Sequence, residues 1–221
     1  MNSTATRNVK NQIDEAIAIL KKGGIVAYPT DTVYGLGASM TSIAAVERIF
    51  EVKCRPKGMA LPLLVADREQ IKQITRSVPP AAWLLIYNFL PGALTIVLNK
   101  SDSVPDIITG GGKTIAIRIP DHPIPIALIK GLGKPIVGTS ANLSGQPSPL
   151  TAEEVRMQIG NKVDMIIDGG QCPGGVESTV VDMSNSKPVI RRLGAITLAQ
   201  LRQTCPDIQL AKEIKNAPRN R

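Results

Sequence analysis

The sequence predicts a single layered domain of the α/β (or α+β) class, built around one mixed sheet. Three observations predict it. Short apolar strands alternate with amphipathic helices along the chain, no repeat or linker interrupts that alternation, and the composition is globular. Of 221 residues, 43% are hydrophobic and 20% charged, and only 3% are aromatic, so the core has to be aliphatic.

Residues 9–22 place Val9, Ile13, Ile17 and Leu20 on one helical face, and Gly23-Gly24 stops that helix. Ile25–Tyr28 reads as a short strand, followed by the loop PTDTVYGLGA. Ser42 is a candidate N-cap for a helix striped by Ile43, Val46, Ile49 and Phe50, which runs into Lys53. Leu61–Val65 is a strand, and Asp67 with Gln70 forms a capping box for a helix to Thr75. Pro79-Pro80 opens a helix over 80–90, Ala93–Leu98 is a strand, and 101–113 is a polar loop ending in GGGK. Thr114–Ile119 alternates as a strand, 124–131 is a helix, and Pro135–Thr139 is a strand that leads into SANLSGQPSP. Thr151 with Glu154 caps a helix to Ile159, and Met165–Asp168 is a strand before the loop GGQCPGG. Ser178–Met183 and Val189–Leu193 are the last strands, and Thr197 with Gln200 caps a short helix. The pattern fades from Asp207. The domain is therefore set at 1–208. Residues 209–221, with Lys212, Lys215, Arg219 and Arg221 against Glu213, read as a flexible basic tail.

The net charge of +8 favours anionic partners such as nucleotides or RNA, and a solvated basic surface accounts for it equally well. Cys54, Cys172 and Cys205 lie far apart and form no CxxC, which argues against a disulfide framework or zinc site and for a reducing cytoplasm. The single histidine, His122, excludes a His-rich metal site; it sits in a proline-flanked turn and reads as structural. The N-terminus lacks the apolar core of a signal peptide. The most apolar stretch, 81–98, is broken by Asn88 and Pro91-Gly92, and reads as helix, turn and strand rather than as a membrane span.

GGGKT at 110–114 imitates half a phosphate-binding P-loop, but Ile107 stands where that motif needs glycine, and a strand follows where it needs a helix. Other loops carry more chemistry. Thr30, Asp31 and Thr32 follow a strand, where hydroxyls suit a ligand, although an ordinary turn has the same composition. Lys53, Arg55 and Lys57 could clamp a triphosphate, or simply solvate a helix end. Alternation puts Thr114, Ala116 and Arg118 on one strand face, a place for a carboxylate or the wet face of an edge strand. Ser140, Asn142, Ser144 and Ser148 follow another strand, and the run from Gly174 to Thr179 repeats the theme.

In this order the motifs resemble the YrdC-like family, whose members act as threonylcarbamoyl-AMP synthases. Lys53-Cys54-Arg55 matches its KxR and Ser140-Ala141-Asn142 its SxN. PTDTVYGLG stands before them, IAIRIPDHP between and ESTVVD after, over residues 12–204. The resemblance implies a twisted mixed sheet flanked by helices, with a concave basic cavity. It implies N-carboxylation of L-threonine by bicarbonate or CO2, then attack on the ATP α-phosphate with loss of pyrophosphate, Mg2+ entering with ATP. The product would serve a downstream transferase that modifies tRNA.

By resemblance, Thr32, Arg118, Gly138 and Ser178 hold threonine. Lys53, Arg55, Thr114, Ser140, Asn142, Ser148 and Arg192 hold ATP, with Lys53 and Arg55 in catalysis. From their place in these loops, and not by resemblance, Asp31 and Glu177 are candidates to orient a Mg2+-bound water or an amine. Some relatives carry a second C-terminal domain, and some place polar contacts at the positions of Met59 and Leu64, which are apolar here. The rival readings are a double-stranded RNA or tRNA-binding module of the same fold, a weakly active paralogue, and a carbamoyl-transfer module of the hydrogenase-maturation type. The scarcity of aromatics argues against base stacking.

Overall fold

The computed structural model describes residues 3–174 and 176–215. Its strands are β1 (Val26–Tyr28), β2 (Gly35–Ser39), β3 (Leu63–Leu64), β4 (Leu94–Asn99), β5 (Thr114–Arg118), β6 (Ile136–Ser140), β7 (Met165–Ile166), β8 (Thr179–Asp182), β9 (Val189–Arg192) and β10 (Gln209–Leu210). They form one sheet in the order β10-β9-β8-β4-β5-β3-β6-β2-β1-β7. Pairing is mixed: β3 runs parallel to β5 but antiparallel to β6, and β4 runs antiparallel to β5 but parallel to β8. The helices are α1 (Ser3–Lys21), α2 (Ile43–Val52), α3 (Arg68–Ile74), α4 (Pro80–Phe89), α5 (Asp106–Thr109), α6 (Pro123–Leu132), α7 (Ala152–Ile159), α8 (Leu198–Thr204) and α9 (Lys212–Lys215).

The two faces of the sheet are covered unequally. One face carries the main aliphatic core, where Leu36, Leu63, Ile96, Ile117 and Val181 meet α2, α3, α4, α7 and α8 through Ile49, Ile71, Leu85, Val155 and Leu201. The other face has a smaller core, in which Ala16 and Leu20 of α1 and Leu128 and Ile129 of α6 pack on Val26, Tyr28, Leu64 and Ile136. These two helices cover part of that face, over Val26, Tyr28, Leu64 and Ile136. Beside them the cavity described below opens, lined from β2, β3, β5, β6 and β8.

Several elements depart from the sequence expectation. The loop after β1 contains β2, because glycines and small residues allow close strand pairing without an apolar signal. The loop 101–113 contains the short α5. Ser42 precedes α2 but makes no side-chain capping bond. Asp67 and Thr151 do cap their helices, while Gln70 and Glu154 reach one residue further back, to the amides of Ala66 and Leu150. Thr197 and Gln200 form the full reciprocal box. His122 is the N-cap of α6, its Nδ1 accepting from the amide of Ile124, and burial pulls its pKa down, which favours the neutral, accepting ring. β5 is internal to the sheet, so the edge-strand reading of 114–119 does not hold. The 208 boundary falls inside ordered structure. Gln209–Leu210 pairs in parallel with β9, and Ala211 is buried. The tail residues Arg219 and Arg221 lie outside the described residues. No helix among the described residues is long and apolar enough to cross a membrane.

Thr179 ties β8 to the segment after β9. Its fully buried hydroxyl donates to Ile196 O (2.6 Å) and accepts from the amides of Gly194 (2.9 Å) and Ile196 (3.1 Å). Thr179→Val keeps the shape but leaves these groups unpaired. It is expected to cost about 2–4 kcal/mol, read as a lower urea midpoint; Thr179→Ser should restore most of the loss.

Candidate active site

The uncovered face of the sheet holds a cavity of about 350 Å3, within the range of small-molecule pockets. Small residues open it. Gly35 of β2, Ala116 of β5 and Gly138 of β6 line it, with Leu64 and Val180 as apolar walls. A Cβ on Gly138 would stand 2.4 Å from the Leu64 side chain, so glycine is required at that close approach.

At one end, the turn after β1 presents Thr32. Thr30 Oγ1 donates to Val33 O (2.7 Å) and accepts from the amide of Thr32 (3.1 Å), folding the turn inward. Arg118, at the end of β5, is nearly buried and held on three sides. Nε donates to Gly92 O (2.9 Å), Nη1 to Thr32 Oγ1 (3.0 Å) and Nη2 to Asp31 Oδ1 (2.6 Å). Two of its five N–H groups have no protein partner among the described residues, enough for a bidentate carboxylate. Ser178 stands across β4 from it, its hydroxyl 2.8 Å from Thr95 Oγ1. Thr95 was not singled out in the sequence; its one signal is a hydroxyl on the β4 face opposite Leu94 and Ile96.

At the other end, the KxR turn meets the SxN loop. α2 ends with the amide of Cys54 on Glu51 O (3.1 Å) and that of Arg55 on Phe50 O (2.8 Å), and Cys54 takes φ 51°. A left-handed residue after a helix reverses the chain, usually as glycine. Lys53 is therefore sent inward while Arg55 reaches the cavity wall. Lys53 is 2% exposed, and its ammonium donates to Ser140 O (2.5 Å), Asn142 O (2.7 Å) and Asn142 Oδ1 (3.0 Å). The amide of Ser144 donates to Lys53 O (2.9 Å), and Ser140 Oγ donates to Asn142 Oδ1 (2.6 Å). Arg55 donates from Nη2 to Ala60 O (3.0 Å), and its buried Nε has no partner among the described residues. Lys57 turns away and pairs with Glu47 on the surface (3.4 Å).

The third wall comes from β8 and β9. Arg192 donates to Ser178 O from Nη2 (2.9 Å) and to the Glu177 carboxylate from Nη1, and Ser148 Oγ donates to Glu177 Oε1 (3.1 Å). Of the residues expected at a threonine site, Thr32, Arg118, Gly138 and Ser178 all line the cavity. Of those expected at an ATP site, Arg55, Ser140 and Arg192 line it. Lys53 and Asn142 lie behind the rim, Ser148 behind Glu177, and Thr114 further along the same face of β5, off the wall. Gly138 also spends its amide on Pro62 O (2.9 Å). Of the expected run 174–179, Gly175 lies outside the described residues.

Burial pulls the Lys53 pKa from 10.5 down to about 8, with the Arg55 charge adding and the Glu177 charge opposing. Because the folded value lies below the unfolded one, the unfolded chain binds more protons between pH 8 and 10.5. This group's contribution to stability therefore rises with pH through that window. The 13Cε resonance lost in Lys53→Met should titrate near pH 8, and the stability difference between wild type and Lys53→Met should increase from pH 8 to 10.5. A Lys53 resonance that titrates with the surface lysines would contradict this.

The chain matches a family model described as "Telomere recombination" (Sua5_yciO_yrdC) over residues 18–194. It is 42% identical over 208 residues to a threonylcarbamoyl-AMP synthase of Pyrococcus abyssi, covering 92% of this chain and 61% of that protein. It is 42% identical over 206 residues to a threonylcarbamoyl-AMP synthase of Bacillus subtilis, covering 93% and 60%. The crystal structure of P. abyssi Sua5 complexed with L-threonine superposes with a TM-score of 0.90 at 41% identity, over 93% of this chain and 60% of that one. The chain thus spans about three fifths of the length of the relatives named.

Proposed function

The chain belongs to the Sua5/YciO/YrdC family, and from that premise we propose that it joins L-threonine, bicarbonate and ATP into threonylcarbamoyl-adenylate, releasing pyrophosphate and water. One observation carries the reading. A single cavity is lined both by a carboxylate-ready arginine set among hydroxyls (Arg118, Thr32, Ser178) and by a second cationic wall (Arg55, Arg192) beside Ser140. An amino acid and a polyphosphate would meet there.

In this proposal Arg118 takes the threonine carboxylate on its two open N–H groups, and Thr32 and Ser178 fix the orientation. The threonine amine, once carboxylated, presents a carbamate oxygen to the α-phosphorus, whose bond to the pyrophosphate oxygen breaks. Such chemistry depends mainly on alignment and on neutralising phosphate charge. That suits a wall of arginines and hydroxyls. The buried bonds of Lys53 give it a holding role, fixing the Ser140–Asn142 loop from behind. In this proposal Mg2+ enters with the nucleotide, on its phosphates. Among the described residues no three His, Cys, Asp or Glu side chains converge, and the cavity carboxylates Asp31 and Glu177 are each held by an arginine. The product is proposed to pass, in the cytoplasm, to a transferase that modifies tRNA.

Pyrophosphate release from ATP should require both L-threonine and bicarbonate, with the adenylate seen by mass spectrometry. Release without threonine would refute the reading. Arg118→Ala should raise the threonine KM by roughly a hundredfold or more, the loss of a buried charged hydrogen-bond pair, and change the ATP KM by only a few-fold.

A further inference from the structure

Of the three arginines that line the cavity, Arg118 and Arg192 already hold a carboxylate of the chain itself, but the two pairs differ. Asp31 and Arg118 are buried together, with side chains 15% and 9% exposed. Glu177 and Arg192 stand at the open rim, 38% and 47% exposed. Among the described residues the Glu177 carboxylate has no backbone donor. Its Oε1 accepts from Ser148 (3.1 Å) and its Oε2 from Arg192 Nη1. Its charge is also felt by Lys53 and Arg55, where it opposes the lowering caused by burial. Glu177 is thus the anion on which the cations and hydroxyl of this wall converge. Ser148 and Arg192 are the donors that a phosphate oxygen would take, since charge-assisted bonds from guanidinium and hydroxyl serve carboxylate and phosphate alike.

We propose that Glu177 is an internal stand-in for a ligand phosphate: its carboxylate bridges Ser148 and Arg192 across the cavity rim, and an arriving polyphosphate has to displace it from them. This rests on the nucleotide reading above for the identity of the polyphosphate, though not for its charge. The exchange is one of partners without covalent change. Arg192 keeps its bonds to Ser178 O and Oγ (2.9 and 3.3 Å), which anchor the guanidinium while Nη1 changes partner. In the open site the carboxylate holds two ligand-facing groups in place. It also sets a threshold: a ligand has to gain more from Ser148 and Arg192 than the carboxylate does, and a polyphosphate, with more charge and more acceptor oxygens, gains more than a weak monoanion.

Removing the charge while keeping the shape tests this. Tripolyphosphate, ATP and adenosine are titrated calorimetrically into wild type and Glu177→Gln, with EDTA and then with Mg2+, after matched thermal midpoints have established that the variant is folded. Glu177→Ala serves as a second variant if the glutamine form is unstable. The expected result is about tenfold tighter binding of tripolyphosphate and ATP by Glu177→Gln in EDTA, a coupling of ordinary size, with adenosine unchanged. Equal or weaker polyphosphate binding by the variant in EDTA overturns the proposal. So does a loss of affinity seen only with Mg2+, which would make Glu177 a metal ligand instead. If tripolyphosphate follows the expected pattern while neither protein binds ATP, the stand-in role is upheld and the nucleotide reading fails.

Discussion

The site depends on one buried ammonium. Lys53 leaves the end of α2 and carries its charge to the loop after β6, where two main-chain carbonyls and the Asn142 amide oxygen receive it. Taking an ammonium out of water costs several kcal/mol, and the site keeps the charge because all three N–H groups are satisfied. In return, two segments almost ninety residues apart in sequence are fixed to each other (Lys53 to Asn142, 89 residues). Cys54 in a left-handed conformation makes this possible, since it sends Lys53 to the interior and Arg55 to the cavity from positions on either side of it. The KxR and SxN pieces therefore act as one structural unit, and Ser140 reaches the wall because Lys53 and Asn142 hold its loop.

The cavity exists because the second face of the sheet is under-covered. α1 and α6 bury one end of it with Leu20, Leu128 and Ile129, and glycine or alanine at 35, 116 and 138 keeps the remainder hollow. The larger aliphatic core lies on the opposite face, and polar groups line the hollow part of this one. Those groups are mutually bonded before any ligand arrives. Thr32 receives Arg118, Ser178 pairs with Thr95, and Arg192 is anchored on Ser178. Such preorganisation lowers the ordering cost of binding.

Asp31 and Glu177 give this wall of cations a measured charge. Without them Arg55, Arg118 and Arg192 would share a small space, with Lys53 behind them, and like charges destabilise such an arrangement. A buried carboxylate beside Arg118 is a fixed part of the frame, whereas one at the rim beside Arg192 can be exchanged. The difference between the pairs lies in exposure and in the number of other bonds each arginine makes.

The sequence alone determined the class of fold, nearly every long helix and strand, the helix caps at Asp67, Thr151 and Thr197, and the polar loops that supply the cavity. Each of these is written in local periodicity or in a side chain within four residues of its backbone partner. It also supplied, through the family resemblance, four residues expected at a threonine site, which the fold brings to one cavity. Other features were illegible: β2 is built of small residues without a strand's apolar signal, β10 and α5 are too short to leave a period, and Thr95 lies in an apolar strand whose partner is 83 residues away. Only the tertiary structure decided which cations face the cavity. It turned Lys53 inward, Arg55 to the wall and Lys57 out to Glu47, and it set Asp31 and Glu177 against different arginines. Charge and residue type are local properties, but the partner of a charge is fixed by strand order and by the direction in which the chain leaves a helix.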